Sequence, residues 1–344
     1  MIDIEKQIRT NIKNMKPYSS ARKEFIGNNG VFLDANENPF GENNRYPDPY
    51  QNKLKQAISK LKKVAVEHLF LGNGSDEAID LIFRIFCEPK QHKALQFSPT
   101  YGMYEVLAAI NDIELVSHDL TDDFQIDIEK VKPFLKDKNV KLIFICTPNN
   151  PTGNTIFKKD IEFILQNFNG IVIIDETYID FSTSKSFIED LESYNNLIVL
   201  QTFSKAWGMA STRVGMAFSN ATIINYFNKV KSPYNISQLN QEAVLDKLKN
   251  YQLFQKEKNE IIEERKKMAM DLLPISFVKK VYPSDANFLL VEVIDANKIY
   301  QQLVAAKVIV RNRTSVVKNC IRITIGTKKE NQQLLIALKT ISND

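Results

Sequence analysis

Short apolar runs alternate with helix-like segments between about residues 65 and 220. Four of these runs, KALQF, KLIFIC, IVIID and NLIVLQ, are rich in β-forming residues and lack apolar–polar alternation. Such runs are typical of strands that are buried on both faces of a mostly parallel sheet covered by helices. RVGMAF is expected to add an antiparallel strand. The pattern predicts an α/β protein with a mostly parallel central sheet.

The stretch HLFLGNGSDEAIDLIFRIFC predicts a strand, a glycine turn and a helix, in that order. Its apolar positions recur at helical spacing, namely Ile79, Ile82, Phe83 and Phe86. Either Ser75 or Asp76 is expected to cap the start of the helix with its side chain.

The pattern divides the chain into four segments. We expect an N-terminal arm at 1–30 that packs with the small domain, and a large domain at 31–235. A charged helical stretch at 236–265 is expected to connect the large domain to a smaller C-terminal α/β domain at 266–344.

Composition excludes several classes of function. The 344 residues are 44% hydrophobic and 25% charged, with a net charge of +4, so nucleic acid is not an expected partner. No apolar run approaches the roughly 20 residues of a membrane helix, and the first residues lack the apolar core of a signal peptide.

Cys87, Cys146 and Cys320 are expected to be reduced core residues of a cytoplasmic protein. Three histidines without metal-ligand spacing argue against a zinc site or a Ser-His-Asp triad.

Polar residues follow five successive predicted strands, where ligand sites of α/β sheets collect. They are a glycine nest at 72–76, Tyr101, the turn TPNNPTGN, Asp175 with Tyr178, and a hydroxyl-flanked Lys205 followed by Arg213. Each feature alone has an ordinary structural explanation. Together they offer an anion nest, a stacking ring, an amide, a buried carboxylate and an amine. One ligand uses them all: a flat cationic ring that carries an aldehyde and a phosphate, which is pyridoxal phosphate.

Three of these motifs, TPNNPTGN, IDETYIDF and SKAWGMASTRVG, resemble the fold-type I pyridoxal-phosphate aminotransferases in order and separation. Further stretches narrow the resemblance to the histidinol-phosphate aminotransferases and cover nearly the whole chain. They are PYSSAR, LDANENPFG, RYPD, GNGSDE, PTYGMY, SDANFLL, VIVRNR and CIRITIGT. The resemblance implies the fold-type I architecture, in which a large cofactor-binding domain precedes a small C-terminal domain.

The resemblance also implies roles around the cofactor. Lys205 is implied to hold it covalently and to act as general base and acid, while Asp175 pairs with the pyridine N–H. Tyr178 and Asn150 are implied to hydrogen-bond the ring oxygen, and Tyr101 to stack on the ring. The residues implied around the phosphate are Gly74, Ser75, Asp76, Thr202, Ser204 and Arg213.

Two of the implied phosphate contacts are unusual. The carboxylate of Asp76 repels a phosphate, so we expect its backbone N–H to make the contact. Tyr46, in RYPD, resembles a residue that reaches the phosphate of the neighbouring subunit. That implies a homodimer with shared sites, although a turn stabilised by proline explains the same residues.

On the substrate side, the resemblance implies that Arg322 binds substrate anions. An arginine in the apolar run CIRITIG also needs an anion on physical grounds. Arg311 is implied to clamp the substrate phosphate, and Arg313, two residues on, leaves that choice open. The other residues implied on this side are Tyr18, Asn36, Glu37 and Asn150.

The expected activity is amino-group exchange between L-histidinol phosphate and 2-oxoglutarate, by a ping-pong mechanism in histidine biosynthesis. Alternatives in the same class are an aromatic-amino-acid aminotransferase and a threonine-phosphate decarboxylase, because residue types do not determine which substrate bond breaks. A non-catalytic module that binds the cofactor or a phosphate is the alternative from a different class.

Overall fold

The computed structural model describes residues 2–18 and 30–343. Its large sheet has seven strands in the order β1-β7-β6-β5-β4-β2-β3. They are β1 (Leu69–Asn73), β2 (Lys93–Ser98), β3 (Glu114–Asp119), β4 (Val140–Cys146), β5 (Ile171–Asp175), β6 (Leu197–Thr202) and β7 (Val214–Phe218). Strands β3, β2, β4, β5 and β6 pair in parallel, and β7 is antiparallel to both β6 and β1. The mostly parallel sheet and the antiparallel RVGMAF strand are confirmed.

Both faces of this sheet are buried along its central strands, which explains why those strands lack alternation, whereas the edge strand β3 is partly exposed. Along β4, Ile143 and Ile145 join one apolar cluster, and Leu142 and Phe144 join the other. Helices with buried side chains in the first cluster are α2 (Asn52–Lys62), α5 (Ile128–Lys136), α6 (Lys158–Asn167), α8 (Gln238–Lys249) and α9 (Tyr251–Leu272). Helices in the second are α3 (Ser75–Phe86), α4 (Met103–Ile110) and α7 (Ala221–Val230).

Helix α3 has the predicted apolar face, but its start differs from the prediction. Its four predicted core positions are all buried. Gly74 occupies the N-cap position with φ of 76°, and no side chain caps the helix. Capping by Ser75 or Asp76 is therefore wrong, because both residues already lie within the first helical turn.

The C-terminal sheet is antiparallel, in the order β10-β11-β9-β8. Its strands are β8 (Val278–Val281), β9 (Phe288–Val293), β10 (Arg311–Asn312) and β11 (Cys320–Thr324). Helices α9 (Tyr251–Leu272), α10 (Ala296–Ala305) and α11 (Lys328–Asn343) contribute side chains to its apolar cluster. The predicted connecting helix is two helices, α8 and α9, which meet at Asn250. The exact domain boundaries remain predictions.

The N-terminal arm packs differently from the prediction. Ile4, Ile8 and Ile12 are buried in the large-domain cluster that contains α3 and α7, and Ile12 lies in the short helix α1 (Thr10–Asn14). The backbone N–H of Arg9 donates to the carbonyl of Ile85 at 3.0 Å. The predicted packing with the small domain does not hold for Ile4, Ile8 and Ile12, which are buried against the large domain. Residues 1 and 19–29 of the predicted arm lie outside the described residues.

The three cysteines are buried and form no disulfide. Across residues 2–18 and 30–343, no helix combines the length and apolar character that crossing a membrane requires.

Candidate active site

A cavity of about 580 Å³ opens at the carboxyl ends of β4, β5 and β6. The strands end there at Cys146, Asp175 and Thr202, as expected for parallel strands that meet at one edge. The predicted site residues that line it are Ser75, Asp76, Tyr101, Asn150, Asp175, Tyr178, Thr202, Ser204, Lys205, Arg213, Arg311 and Arg322. They come from both domains, so the cavity lies between the two sheets.

Asp175 is a buried carboxylate that is held by three hydrogen bonds. The backbone N–H and the hydroxyl of Thr177 donate to Oδ1, at 3.1 and 2.6 Å. The hydroxyl of Tyr104 donates to Oδ2 at 2.7 Å. Burial raises the pKa of Asp175, and these hydrogen bonds oppose that rise because they favour the charged form. The arrangement holds a negative charge in place at the floor of the cavity.

Lys205 presents its amine to the same cavity, and its Nζ lies 5.9 Å from the centroid of the Tyr178 ring. The side chain keeps contact with solvent through the open cavity, so its desolvation is partial. That desolvation lowers the pKa of Lys205, and the positive charge of Arg322 lowers it further. A lowered pKa gives more neutral amine at physiological pH, which both nucleophilic and general-base roles require.

The loop before α3 and the turn before β7 approach very closely. A Cβ at Gly215 would lie 2.2 Å from the backbone nitrogen of Ser75, and a Cβ at Gly74 would lie 2.5 Å from Nη2 of Arg213. Glycine at both positions therefore lets the arginine reach the N-terminus of α3. Free N–H groups and the helix dipole make that end attractive to an anion.

Two hydroxyls face this same anion-binding end. The hydroxyl of Thr202 donates to Ser204 Oγ at 3.0 Å, and Thr202 Oγ1 accepts from the backbone N–H of Ser204 at 3.1 Å. Both residues line the cavity beside Arg213. Hydroxyls, backbone N–H groups and a guanidinium together form a donor set suited to a phosphate.

Asp76 lies between the aromatic and cationic members of the site. Its Oδ1 accepts a hydrogen bond from the hydroxyl of Tyr101 at 3.1 Å, and its Oδ2 lies 3.8 Å from Nη2 of Arg213. The Tyr101 ring also meets Tyr104 edge-on, with centroids 5.5 Å apart. Asp76 therefore orients the ring of Tyr101 and carries the carboxylate nearest to Arg213.

Asn150 connects the two domains across the cavity. Its Nδ2 donates to the Tyr178 hydroxyl at 3.5 Å, and its Oδ1 accepts from Nη1 of Arg322 at 2.6 Å. The guanidinium of Arg322 lies over the Phe288 ring, 5.2 Å from its centroid. The large domain thus holds the arginine that the small domain supplies.

Three arginines of the small domain line one side of the cavity. Arg311 on β10 is the register partner of Arg322 on β11. Arg313 also lines the cavity, is half-buried, and has a buried Nε without a hydrogen-bond partner. Burial lowers the pKa of Arg313, and the charges of Arg322 and Arg311 add to the effect. Clustered guanidiniums of this kind attract anions strongly.

Apart from Gly74, which lies against Arg213, the remaining predicted residues lie elsewhere in the single chain. Asn36, Glu37 and Tyr46 line a second cavity of about 650 Å³. Glu37 accepts from Arg45 at 2.7 Å and from the backbone N–H of Tyr46 at 2.6 Å, and the Tyr46 ring stacks on Tyr234. Tyr18 is 67% exposed and does not line the first cavity. Their roles at the site remain predictions.

Sequence reasoning missed several residues of the site. The unpredicted residues that line the cavity include Thr100, Met103, Val106, Cys146, Thr177, Ala210 and Arg313, the last considered only as an alternative. Tyr104, behind the cavity, was missed as the partner of Asp175. No local signal in the sequence pairs these two residues, which are 71 positions apart.

The comparisons with known proteins agree with this geometry. The family model for aminotransferase class I and II matches residues 20–338. A histidinol-phosphate aminotransferase of Parabacteroides distasonis is 51% identical over 344 residues, covering 99% of each chain. One from Cytophaga hutchinsonii is 48% identical over 97% of each chain. The crystal structure of the histidinol-phosphate aminotransferase from Clostridium acetobutylicum superimposes with a TM-score of 0.80 at 28% identity, covering 87% of this chain and 91% of that one. The chain therefore belongs to the aminotransferase class I and II family.

Proposed function

We propose that this protein is a histidinol-phosphate aminotransferase that uses pyridoxal phosphate held by Lys205. It exchanges an amino group between L-histidinol phosphate and 2-oxoglutarate in histidine biosynthesis. The observation that carries the proposal is one cavity in which Asp175, Lys205 and Arg213 face three arginines of the small domain. Membership of the family and the high identity to enzymes of that name support it.

The residues present fit the cofactor. A flat cationic ring with a phosphate needs a buried anion at one end and donors for the phosphate at the other. Asp175 is 2% exposed at the floor, and the close approach of Gly74 to Arg213 forms the phosphate cradle. Lys205 supplies the amine that an aldehyde requires.

When bound, pyridoxal phosphate supplies an electron-accepting ring that stabilises negative charge on the substrate carbon. Asp175 would accept a hydrogen bond from the ring N–H and so keep the ring nitrogen protonated. Lys205 would hold the cofactor through its amine, take the proton from the α-carbon of the amino donor, and give a proton to the α-carbon of the amino acceptor in the second half-reaction. Its lowered pKa suits this task, since the amine must be neutral to accept a proton.

The three arginines hold the anionic groups of the substrates. Arg322 is the best placed for the group nearest the reaction, because Asn150 orients it at 2.6 Å. Arg311 and Arg313 are the candidates for the substrate phosphate, and both line the cavity. An imidazole alcohol phosphate and a dicarboxylate both present anions, so one cluster serves both half-reactions.

We further propose a cytoplasmic homodimer with shared active sites. The segment that carries Tyr46 exposes large apolar side chains, with Val31 at 88%, Leu33 at 87% and Phe40 at 81% exposed. Exposed apolar residues that cluster in this way are typical of an interface. Tyr46 then reaches the neighbouring site, which accounts for its distance from the cavity of its own chain. Three unpaired cysteines are compatible with a reducing compartment.

The test is an assay of the purified protein with pyridoxal phosphate, L-histidinol phosphate and 2-oxoglutarate. The expected product is glutamate, and Lys205→Ala is expected to abolish its formation. Carbon dioxide release from phosphothreonine, without glutamate from histidinol phosphate, would favour the decarboxylase. Preference for an aromatic amino acid would favour the aromatic aminotransferase. An inert protein that still binds the cofactor would favour the non-catalytic module.

Arg311→Gln and Arg313→Gln, assayed separately, identify the phosphate clamp. Loss of the clamp raises KM for histidinol phosphate and leaves KM for a substrate without a phosphate nearly unchanged. The other arginine serves as the matched control. An equal change for both substrates in both variants would contradict the assignment of a phosphate clamp.

A further inference from the structure

Glu176 is a buried carboxylate on the side of the strand that faces away from the cavity. It follows Asp175 directly and is 1% exposed, yet it does not line the cavity. Its carboxylate accepts hydrogen bonds from the backbone N–H of Phe187 at 2.7 Å, from Nε2 of Gln201 at 2.8 Å, and from the hydroxyl of Ser186 in a very short contact. Burial of a carboxylate is costly without such donors, and the proposed reaction leaves this one unused.

The partners of Glu176 belong to separate parts of the fold. Ser186 and Phe187 start the short 3₁₀ turn Phe187–Asp190, and Gln201 lies on β6 directly before Thr202. The backbone N–H of Glu176 also donates to the carbonyl of Leu200 at 2.8 Å. Glu176 therefore joins the carboxyl end of β5 to that of β6 through both its backbone and its side chain.

These two strand ends position the carboxylate of Asp175 and the amine of Lys205, the two groups that the proposed function assigns to opposite ends of the cofactor. Asp175 closes β5, and β6 leads through Thr202 into the segment with Lys205. Asp175, the last residue of β5, lines the cavity, while Glu176 follows the strand and has its carboxyl group among Ser186, Phe187 and Gln201. Three hydrogen bonds hold the buried carboxyl group in one orientation, which makes this link stiff.

We propose that Glu176 is a positioning residue for the cofactor site, which acts through β5 and β6 to fix Asp175 relative to Lys205. The inference rests on the proposed function, since it assigns the fixed spacing to the cofactor. Glu176 itself touches neither cofactor nor substrate. Loss of the Glu176 carboxyl group is expected to change the distance between the carboxylate of Asp175 and the amine of Lys205.

The test compares Glu176→Gln with a double variant that combines it with Gln201→Glu. In the single variant an amide NH₂ group replaces one carboxylate oxygen of residue 176. That group is a donor and meets the donors that the oxygen accepted from, so hydrogen bonds are lost. The double variant restores one carboxylate and one amide between β5 and β6, with their positions exchanged. Ser186→Ala is the matched control: it removes a donor of the same carboxylate and an acceptor of Gln201, and leaves the hydrogen bond between Glu176 and Gln201 in place.

Three quantities are measured: the dissociation constant for pyridoxal phosphate, kcat and KM for histidinol phosphate, and the Tm of the cofactor-free protein. Glu176→Gln is expected to weaken cofactor binding about tenfold, equal to about 1.4 kcal/mol, and to lower kcat more than it changes KM. The double variant is expected to recover most of both losses. Ser186→Ala is expected to stay within about twofold of the wild type for cofactor binding.

A lower Tm with unchanged cofactor affinity and kcat would overturn the inference, since Glu176 would then be only structural. If the single variant does not fold, the double variant decides: near-normal affinity supports the link, and a tenfold loss overturns it. A wild-type protein that fails to bind pyridoxal phosphate overturns the proposed function itself. If the wild type binds pyridoxal phosphate and converts histidinol phosphate, and Glu176→Gln has the same cofactor affinity and kcat, this inference alone is overturned.

Discussion

The hydroxyl of Tyr104 donates to Oδ2 of Asp175 at 2.7 Å, on the opposite oxygen from the two hydrogen bonds of Thr177. Tyr104 is fully buried, and its ring stacks on Phe144 with centroids 4.8 Å apart. Burial raises the pKa of Tyr104 well above its ordinary value, so its hydroxyl remains a donor over the whole physiological range. Asp175 thus has a permanent donor that supports its negative charge.

Tyr104→Phe is expected to lower kcat/KM about tenfold or more, because a hydrogen bond to a charged group contributes about 1.5–3 kcal/mol. Steady-state kinetics with histidinol phosphate measure the loss. Tyr226→Phe is the matched control, since that hydroxyl donates to Glu5, remote from the cavity. Equal kinetics for the two variants would show that the Tyr104 hydroxyl does not support Asp175.

Asp76→Asn is expected to tighten phosphate binding several-fold. The asparagine can still accept from Tyr101, while the negative charge 3.8 Å from Arg213 disappears. The carboxylate is partly exposed, so the gain should shrink as ionic strength rises. Inhibition of cofactor loading by inorganic phosphate, at low and high salt, measures it. Weaker phosphate binding in the variant would mean that the Asp76 carboxylate holds Arg213 in place for the anion.

Arg322→Gln is expected to move the pH at which Lys205 captures the cofactor to higher values. Desolvation and then the charge of Arg322 lower the pKa of Lys205, so the amine loses its proton at a lower pH than an ordinary lysine does. Removal of that charge raises the pKa again. The measurement is the rate of pyridoxal phosphate capture by cofactor-free protein against pH. A midpoint that stays in place or moves down contradicts the coupling of the two side chains.

Glu176 is expected to make stability depend on pH. Burial raises its pKa from the ordinary 4.5 to about 7, so its stabilising contribution is complete below about pH 4.5 and is lost as pH rises through about 7. The free energy of unfolding of the wild type, relative to Glu176→Gln, should therefore fall by up to about 3 kcal/mol between pH 4.5 and 8. Urea denaturation at both ends of this range measures the difference. A difference that grows with pH refutes the raised pKa.

The sequence predicted six of the seven strands of the large sheet, and the meeting of their ends, because parallel topology brings carboxyl ends to one edge. It missed the edge strand β3, whose side chains are only partly buried or exposed. It could not identify Tyr104 as the partner of Asp175, since 71 positions separate the two and only the packing of α4 against the sheet joins them. Nor could it place Glu176, whose donors come from a turn and from the neighbouring strand. Nor could it place Ile4, Ile8 and Ile12 against the large domain, because a 3₁₀ turn at Ile4–Lys6 and a separate helix at Thr10–Asn14 carry them to a cluster of distant residues.

Asn150 belongs to both halves of the site, because one amide touches Tyr178 and Arg322 at once. Under the proposed function Asn150 also contacts the ring oxygen of the cofactor, so a substrate anion that draws Arg322 away from Asn150 is expected to change that contact. Thermodynamic linkage makes such an effect reciprocal, so cofactor and dicarboxylate each alter the affinity of the protein for the other by the same factor. The two ligands are then heterotropic effectors of one another, and the affinity for a dicarboxylate inhibitor reports on the occupancy of the cofactor site.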